Sequence, residues 1–171
     1  IKVKDTLIFL QDLARYHRIK KNLTIIGLTG SNGKTTTKEL IKSVLSHKYR
    51  VQSTEGNLNN HIGVPLTLLS INPETEQTIV EMGANHPGEI KLLCDMALPQ
   101  SGLITNIGKA HLKGFGSFEG VKKAKAELYD SIKSTGGKIY YDASDDVLCD
   151  LVGNYSLKIG YNSPSGICSG K

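Results

Sequence analysis

Residues Ile25-Ile26-Gly27-Leu28-Thr29-Gly30-Ser31-Asn32-Gly33-Lys34-Thr35-Thr36-Thr37 restrict the fold more than any other stretch of the chain. The apolar run over 23–28 reads as a buried parallel strand. It breaks at a loop holding Gly30 and Gly33, and Lys34 and Thr35 then open a helix that the pattern carries to about residue 47. A strand, a glycine loop and a helix start in that order form a phosphate-binding loop. Glycines let successive backbone N–H groups turn toward one anion, and the helix N-terminus adds its positive dipole end. Lysine at this point reaches the β- and γ-phosphates of a nucleotide, and the threonine hydroxyl ligates Mg²⁺. The spacing departs from the usual loop, because Leu28 stands where the first glycine is expected and Gly27 sits one place early.

The remaining sequence alternates helix and strand, the signature of an α/β fold with a parallel sheet and crossover helices in three layers. A helix over 5–20 carries Leu7, Leu10, Leu13 and Ala14 at helical spacing behind an Asp5 or Thr6 cap. Strands are expected at 50–53, 78–82, 103–107, 138–141 and 156–160. Helices are expected at 62–71, 87–96, 117–134 and 144–152, with Gly136-Gly137 ending the long one.

A length of 171 residues suits one well-buried core. The cysteines Cys94, Cys149 and Cys168 are odd in number and widely spaced, so they read as reduced thiols of a cytoplasmic chain rather than a disulfide framework. The formal charge of +5 is modest and its lysines are scattered, which argues against nucleic acid as a partner. No apolar run is long enough to span a membrane. The chain starts at Ile1 and stops in a Ser-Gly stretch, as though cut from something longer.

Other polar residues gather where strands end, the place at which ligands bind in open α/β sheets. The 78–82 strand delivers Glu81, placed to hold Mg²⁺ directly or through water. Taken alone, a glutamate there is more often a solvated edge; a phosphate loop two strands earlier reverses that balance. The 103–107 strand delivers Asn106, followed by Gly108 and His111, and His111 is equally readable as a structural loop histidine or a second-cation ligand.

These segments together resemble the Mur ligase family. The loop Gly30-Ser31-Asn32-Gly33-Lys34-Thr35-Thr36 is similar to that family's shortened ATP loop, which accounts for Leu28. Matching segments follow in order: Gly56-Asn57-Leu58-Asn59-Asn60 with Gly63-Val64-Pro65; Glu81-Met82-Gly83-Ala84-Asn85-His86-Pro87-Gly88-Glu89-Ile90; Thr105-Asn106-Ile107-Gly108-Lys109-Ala110-His111-Leu112; and Gly114-Phe115-Gly116-Ser117 with Ala124-Lys125-Ala126-Glu127. The resemblance covers about residues 5–135. The asparagine-rich segment and the 83–90 segment look like the branch that joins D-alanyl-D-alanine to UDP-N-acetylmuramoyl-tripeptide.

The resemblance implies an ATP-dependent carbon–nitrogen ligase of peptidoglycan precursor synthesis, using ATP and Mg²⁺. A substrate carboxylate would be activated as an acyl phosphate and then attacked by the amine. Gly30, Ser31, Asn32, Gly33, Lys34, Thr35 and Thr36 would hold the nucleotide, with the amides of Asn32 and Gly33 around the phosphates. Lys34, His111 and Lys125 would be catalytic. Thr35, Glu81, His111 and Lys125 would hold metal, Lys125 as a carbamate 14 positions after His111. Asn57, Asn59 and Asn60 would line the UDP-muramoyl-peptide side. The resemblance further implies a linker helix over 1–20 from a preceding domain, and an ATP-binding central domain over 21–171 that stops short of its adenine side. Such a piece is expected to be monomeric and inactive alone. Three alternatives stand beside this reading: a folate-polyglutamylating or cyanophycin-type ligase, a regulatory nucleotide-binding module, and a non-catalytic domain of the same fold. A guanine switch protein is opposed by the lack of its Asn-Lys-x-Asp segment, since Ile107-Gly108-Lys109 follows Asn106.

Overall fold

The computed structural model describes residues 2–108 and 112–162, apart from the side chains of residues 112 and 113. His111 and Cys168, singled out in the sequence, lie outside the described residues. The elements in chain order are α1 (Thr6–Lys20), β1 (Ile25–Thr29), α2 (Lys34–Leu45), β2 (Val51–Ser53), α3 (Gly63–Leu69), β3 (Gln77–Glu81), α4 (Glu89–Ala97), β4 (Ser101–Ile104), α5 (Leu112–Phe115), α6 (Phe118–Ser134), β5 (Lys138–Asp142), α7 (Asp146–Val152) and β6 (Lys158–Tyr161).

The six strands form one sheet in the order β2-β3-β1-β4-β5-β6. Every pairing is parallel. From β1 the chain first steps outward to β2, then returns strand by strand in the opposite direction. Right-handed crossovers therefore place α2 on one face and the later helices on the other. The packing agrees: α2 lies on β1, β2 and β3, whereas α3, α4, α6 and α7 form a continuous helical layer. Ile25, Val80, Ile104 and Ile139 point into that layer and meet Ile90, Leu93, Leu128 and Ile132. Strand alternation turns Leu28 and Ile79, both fully buried, toward α2.

Helix starts follow local chemistry. Asp5 accepts from the N–H groups of Leu7 and Ile8 at 2.8 and 2.9 Å, Ser117 from Gly120, and Asp145 from Val147 and Leu148. α1 is more than a tether. It packs on α3 and α4, buries Ala14, and sends Arg18 to the carbonyls of Ala97 and Leu98 at 2.8 and 2.9 Å, closing the C-terminus of α4.

Most strand boundaries fall within two residues of the sequence expectation, and the end of β4 departs furthest. The strand foreseen at 103–107 runs over Ser101–Ile104, so Asn106 lies in the loop beyond it. The cause is Tyr129 on α6, whose hydroxyl accepts from Ile104 N at 3.2 Å and donates to Tyr140 O at 2.9 Å. This hydroxyl wedges β4 from β5 and frees residues 105–108 to turn toward the glycine loop. Replacing Tyr129 by Phe keeps the packing but strands a buried donor and acceptor, so it should destabilise the fold by about 1–3 kcal/mol. Urea denaturation would measure this, and an unchanged midpoint would contradict the wedge.

Candidate active site

The loop after β1 turns on two glycines. Gly33 caps α2 at φ 75°, a left-handed conformation that side chains resist. At Gly30 any Cβ would come within 1.9 Å of Thr105 Oγ1. Among the described residues, no side chain caps α2, as none caps α4, whereas α1, α6 and α7 are capped. Its first-turn N–H groups, which have no acceptor within the helix, are of the kind that can meet an anion. Lys34 folds back over the loop and donates to Gly30 O at 2.9 Å and Ser31 O at 3.4 Å. Burial lowers the Lys34 ammonium from its ordinary range, and the carboxylate of Glu81 opposes that shift. Thr36 sits exposed in the first turn. Asn32 N is taken by Asn106 Oδ1 at 3.1 Å, so the open donors start at Gly33.

Glu81 ends β3 beside this loop, only 2% exposed. Thr35 Oγ1 donates to its Oε2 at 3.1 Å, and Asn59 Nδ2 donates to its Oε1 at 2.9 Å. Its backbone N–H is held by Thr54 Oγ1 at 3.0 Å. Thr54 is fixed in turn, because the buried Lys38 donates to its carbonyl at 2.7 Å. Thr35 and Glu81 thus present a hydroxyl and a carboxylate side by side, the hard oxygen donors that Mg²⁺ takes.

A cavity of about 330 Å³ opens next to the loop, lined among others by Lys34, Asn59, Asn60, Asn85, Glu89 and Lys125. Lys125, on α6, is only 2% exposed and lies 5.7 Å from the Phe115 ring centre. Burial first, and the Lys34 ammonium second, push its amine down to about 8, against the pull of Glu89 and Glu127. Burial raises the Glu89 carboxyl, but the N–H groups of Asn85 and His86 and the His86 ring outweigh it and hold the acid below its ordinary value.

The structure therefore brings together Lys34, Thr35, Glu81, Asn59, Asn60 and Lys125. Asn57 is not among the residues lining the cavity, and Asn60 Oδ1 caps α3 through Ile62 N and Gly63 N at 3.0 and 2.9 Å. Two contributors escaped the sequence reading. Lys38 lies one turn beyond Lys34 in what reads as an ordinary helix surface. Glu127 accepts from Gly88 N at 2.7 Å and Lys91 N at 2.8 Å, tying α6 to the start of α4. No local signal marks either, since both act on residues far away in sequence.

Residues 28–161 match the model of the Mur ligase middle domain. The chain belongs to the Mur ligase family. It is 49% identical over 140 residues to the UDP-N-acetylmuramoyl-tripeptide--D-alanyl-D-alanine ligase of Bacillus subtilis (strain 168), an alignment covering 82% of this chain and 31% of that protein. Among solved structures it is similar to MurF from Acinetobacter baumannii, with a TM-score of 0.87 and 38% identity, covering 94% of this chain and 36% of the other. It is also similar to the MurF ligase from Thermotoga maritima in complex with ADP, with a TM-score of 0.86 and 34% identity over 94% of this chain and 38% of that one. The chain thus spans about a third of the length of these Mur ligases.

The lowered Lys125 amine has a measurable consequence. The Lys125 side-chain resonances should titrate near pH 8, well below the ordinary lysine range. Because the unfolded chain keeps its proton up to about 10.5, this group destabilises the fold below pH 8. That penalty is released as pH rises from 8 to 10.5. A Lys125 titration in the ordinary lysine range would contradict this environment.

Proposed function

We propose that this chain is the ATP-binding central part of a cytoplasmic enzyme that adds D-alanyl-D-alanine to UDP-N-acetylmuramoyl-tripeptide. The observation that carries the reading is the pairing of Thr35 with Glu81 at 3.1 Å beside an uncapped helix start, with Lys34 and Lys125 lining the adjoining cavity. The names of the relatives supply the substrates; the geometry supports the phosphate chemistry.

The residues present fit both ATP and Mg²⁺. The N–H groups at the start of α2 suit phosphate oxygens, and Lys34 has only two loop carbonyls to leave on turning toward them. Thr35 and Glu81 would hold one Mg²⁺, and the family resemblance implies that His111, with Lys125, would hold a second. Bound Mg²⁺ supplies charge neutralisation on a transferring phosphoryl group. The protein's own part is mainly positioning and electrostatics. Lys34 would offset the negative charge that grows on the phosphoryl oxygens, and the glycine loop would hold the phosphates beside the cavity. Asn59 and Asn60 border the cavity on the side assigned to the muramoyl-peptide.

Lys125 serves as a carbamate in this reading. Its neutral amine adds CO₂ and releases a proton, which turns a buried cation into an oxygen ligand of the kind that Mg²⁺ takes. The low amine pKa favours that neutral form.

In the full-length enzyme, Lys34→Ala should lower D-alanyl-D-alanine-dependent phosphate release by at least about a hundredfold. Its melting temperature should stay near that of the wild type, because among the described residues Lys34 bonds to its own loop. Near-normal turnover would overturn the assignment. Lys125→Ala should be similarly damaging, whereas Lys122→Ala and Lys123→Ala should be nearly silent. Equal losses from all three would point to helix charge instead of a ligand at Lys125.

A further inference from the structure

After β4, Thr105, Asn106 and Gly108 are bonded to the glycine loop. Asn106 O accepts from Ser31 N at 3.0 Å, and Asn106 Oδ1 accepts from Asn32 N at 3.1 Å. Two donors converge on Asn32 O: Thr105 Oγ1 at 2.6 Å and Asn106 Nδ2 at 3.1 Å. Gly108 N donates to Ser31 Oγ at 2.9 Å, and that hydroxyl donates back to Gly108 O at 3.3 Å. Thr105 is itself anchored to the sheet, its N–H on Thr29 O at 2.9 Å.

The stereochemistry of one peptide unit gives these bonds a function. The carbonyl of Asn32 and the N–H of Gly33 belong to the same planar trans peptide, so they point in opposite directions. Two donors on that carbonyl hold it toward β4, and the Gly33 N–H is thereby turned away, onto the side where the first-turn N–H groups of α2 begin. The loop cannot do this alone. Gly33, with no side chain and a positive φ, sits at the most adjustable joint of the loop.

We infer that Asn106 and Thr105 are positioning residues for phosphate binding: by fixing Asn32 O they aim the Gly33 N–H, the first donor of the anion site. This rests on the phosphate-binding reading above. It also assigns the amides of Ser31 and Asn32 to the internal clamp, so that the nucleotide is met by residues 33–36 and Lys34.

The test is an amide NMR titration of this chain with magnesium pyrophosphate, which engages a phosphate loop without needing an adenine pocket. In the wild type, the Gly33 to Thr36 amides should shift, while the Ser31 and Asn32 amides stay nearly still and exchange slowly with solvent. Asn106→Ala should free the Asn32 amide to exchange and weaken pyrophosphate about tenfold, the loss expected for removing hydrogen bonds worth about 1.4 kcal/mol. Thr105→Val, which keeps the side-chain shape, should weaken it to a smaller degree and serves if Asn106→Ala does not fold. A merely structural role would lower the melting temperature but leave the affinity of the folded protein unchanged, and that result overturns the proposal. An Asn32 amide that shifts with ligand as strongly as Gly33 overturns it as well. No response in the wild type would instead defeat the phosphate reading itself, and the positioning role with it.

Discussion

A carboxylate buried in the protein must be fully hydrogen-bonded, or its desolvation becomes prohibitive. The Glu81 carboxylate accepts from Thr35 at the start of α2 and from Asn59 in the loop before α3, while the Glu81 backbone N–H donates to Thr54 Oγ1 in the segment after β2. Because β2, β3 and β1 are neighbours in the sheet, their carboxyl ends deliver these loops to one point. The glycine loop, the asparagine segment and the acid that closes β3 are therefore a single hydrogen-bonded unit. Removing its central carboxylate would leave two donors facing a cavity edge with no acceptor.

The second half of the site is arranged around a cation instead. Lys125 is buried on α6 at some cost, because burying an amine disfavours its charged form. Its surroundings limit that cost without cancelling it. Glu89 and Glu127 face it electrostatically, but each is also engaged elsewhere, Glu89 with the 85–86 amides and Glu127 with Gly88 and Lys91. The carboxylates that could neutralise Lys125 are thus committed to shaping the start of α4. A buried lysine whose amine loses its proton this easily suits the carbamate proposed above, and at neutral pH its burial subtracts from stability.

Much of this was legible from the chain. The glycine loop, the alternation of helices and strands, and Glu81 at a strand end all rest on local patterns of short period. The order of the strands did not, since no local pattern says that the chain steps to an edge before returning past its first strand. The end of β4 was misplaced because residues 103–107 keep an apolar, strand-like pattern, while a hydroxyl 25 residues away on Tyr129 cuts the pairing short. Asn106 was noticed as a strand-end residue, yet its grip on Asn32 spans 74 residues of sequence. Lys38 and Glu127 were missed for the same reason. Each looks like a solvated helix charge until the fold supplies its partner.

In the proposed function, the oxygen pair of Thr35 and Glu81 is a divalent-metal position at the mouth of the phosphate loop. Paramagnetic broadening by Mn²⁺ in the presence of ADP reads that position directly. The account predicts that amide signals around Thr35, Glu81 and Asn59 vanish first, and that Glu81→Gln abolishes the effect. Broadening centred on another carboxylate cluster, such as Asp95 and Asp130 beside the cleft between α4 and α6, or broadening unchanged in Glu81→Gln, would contradict it.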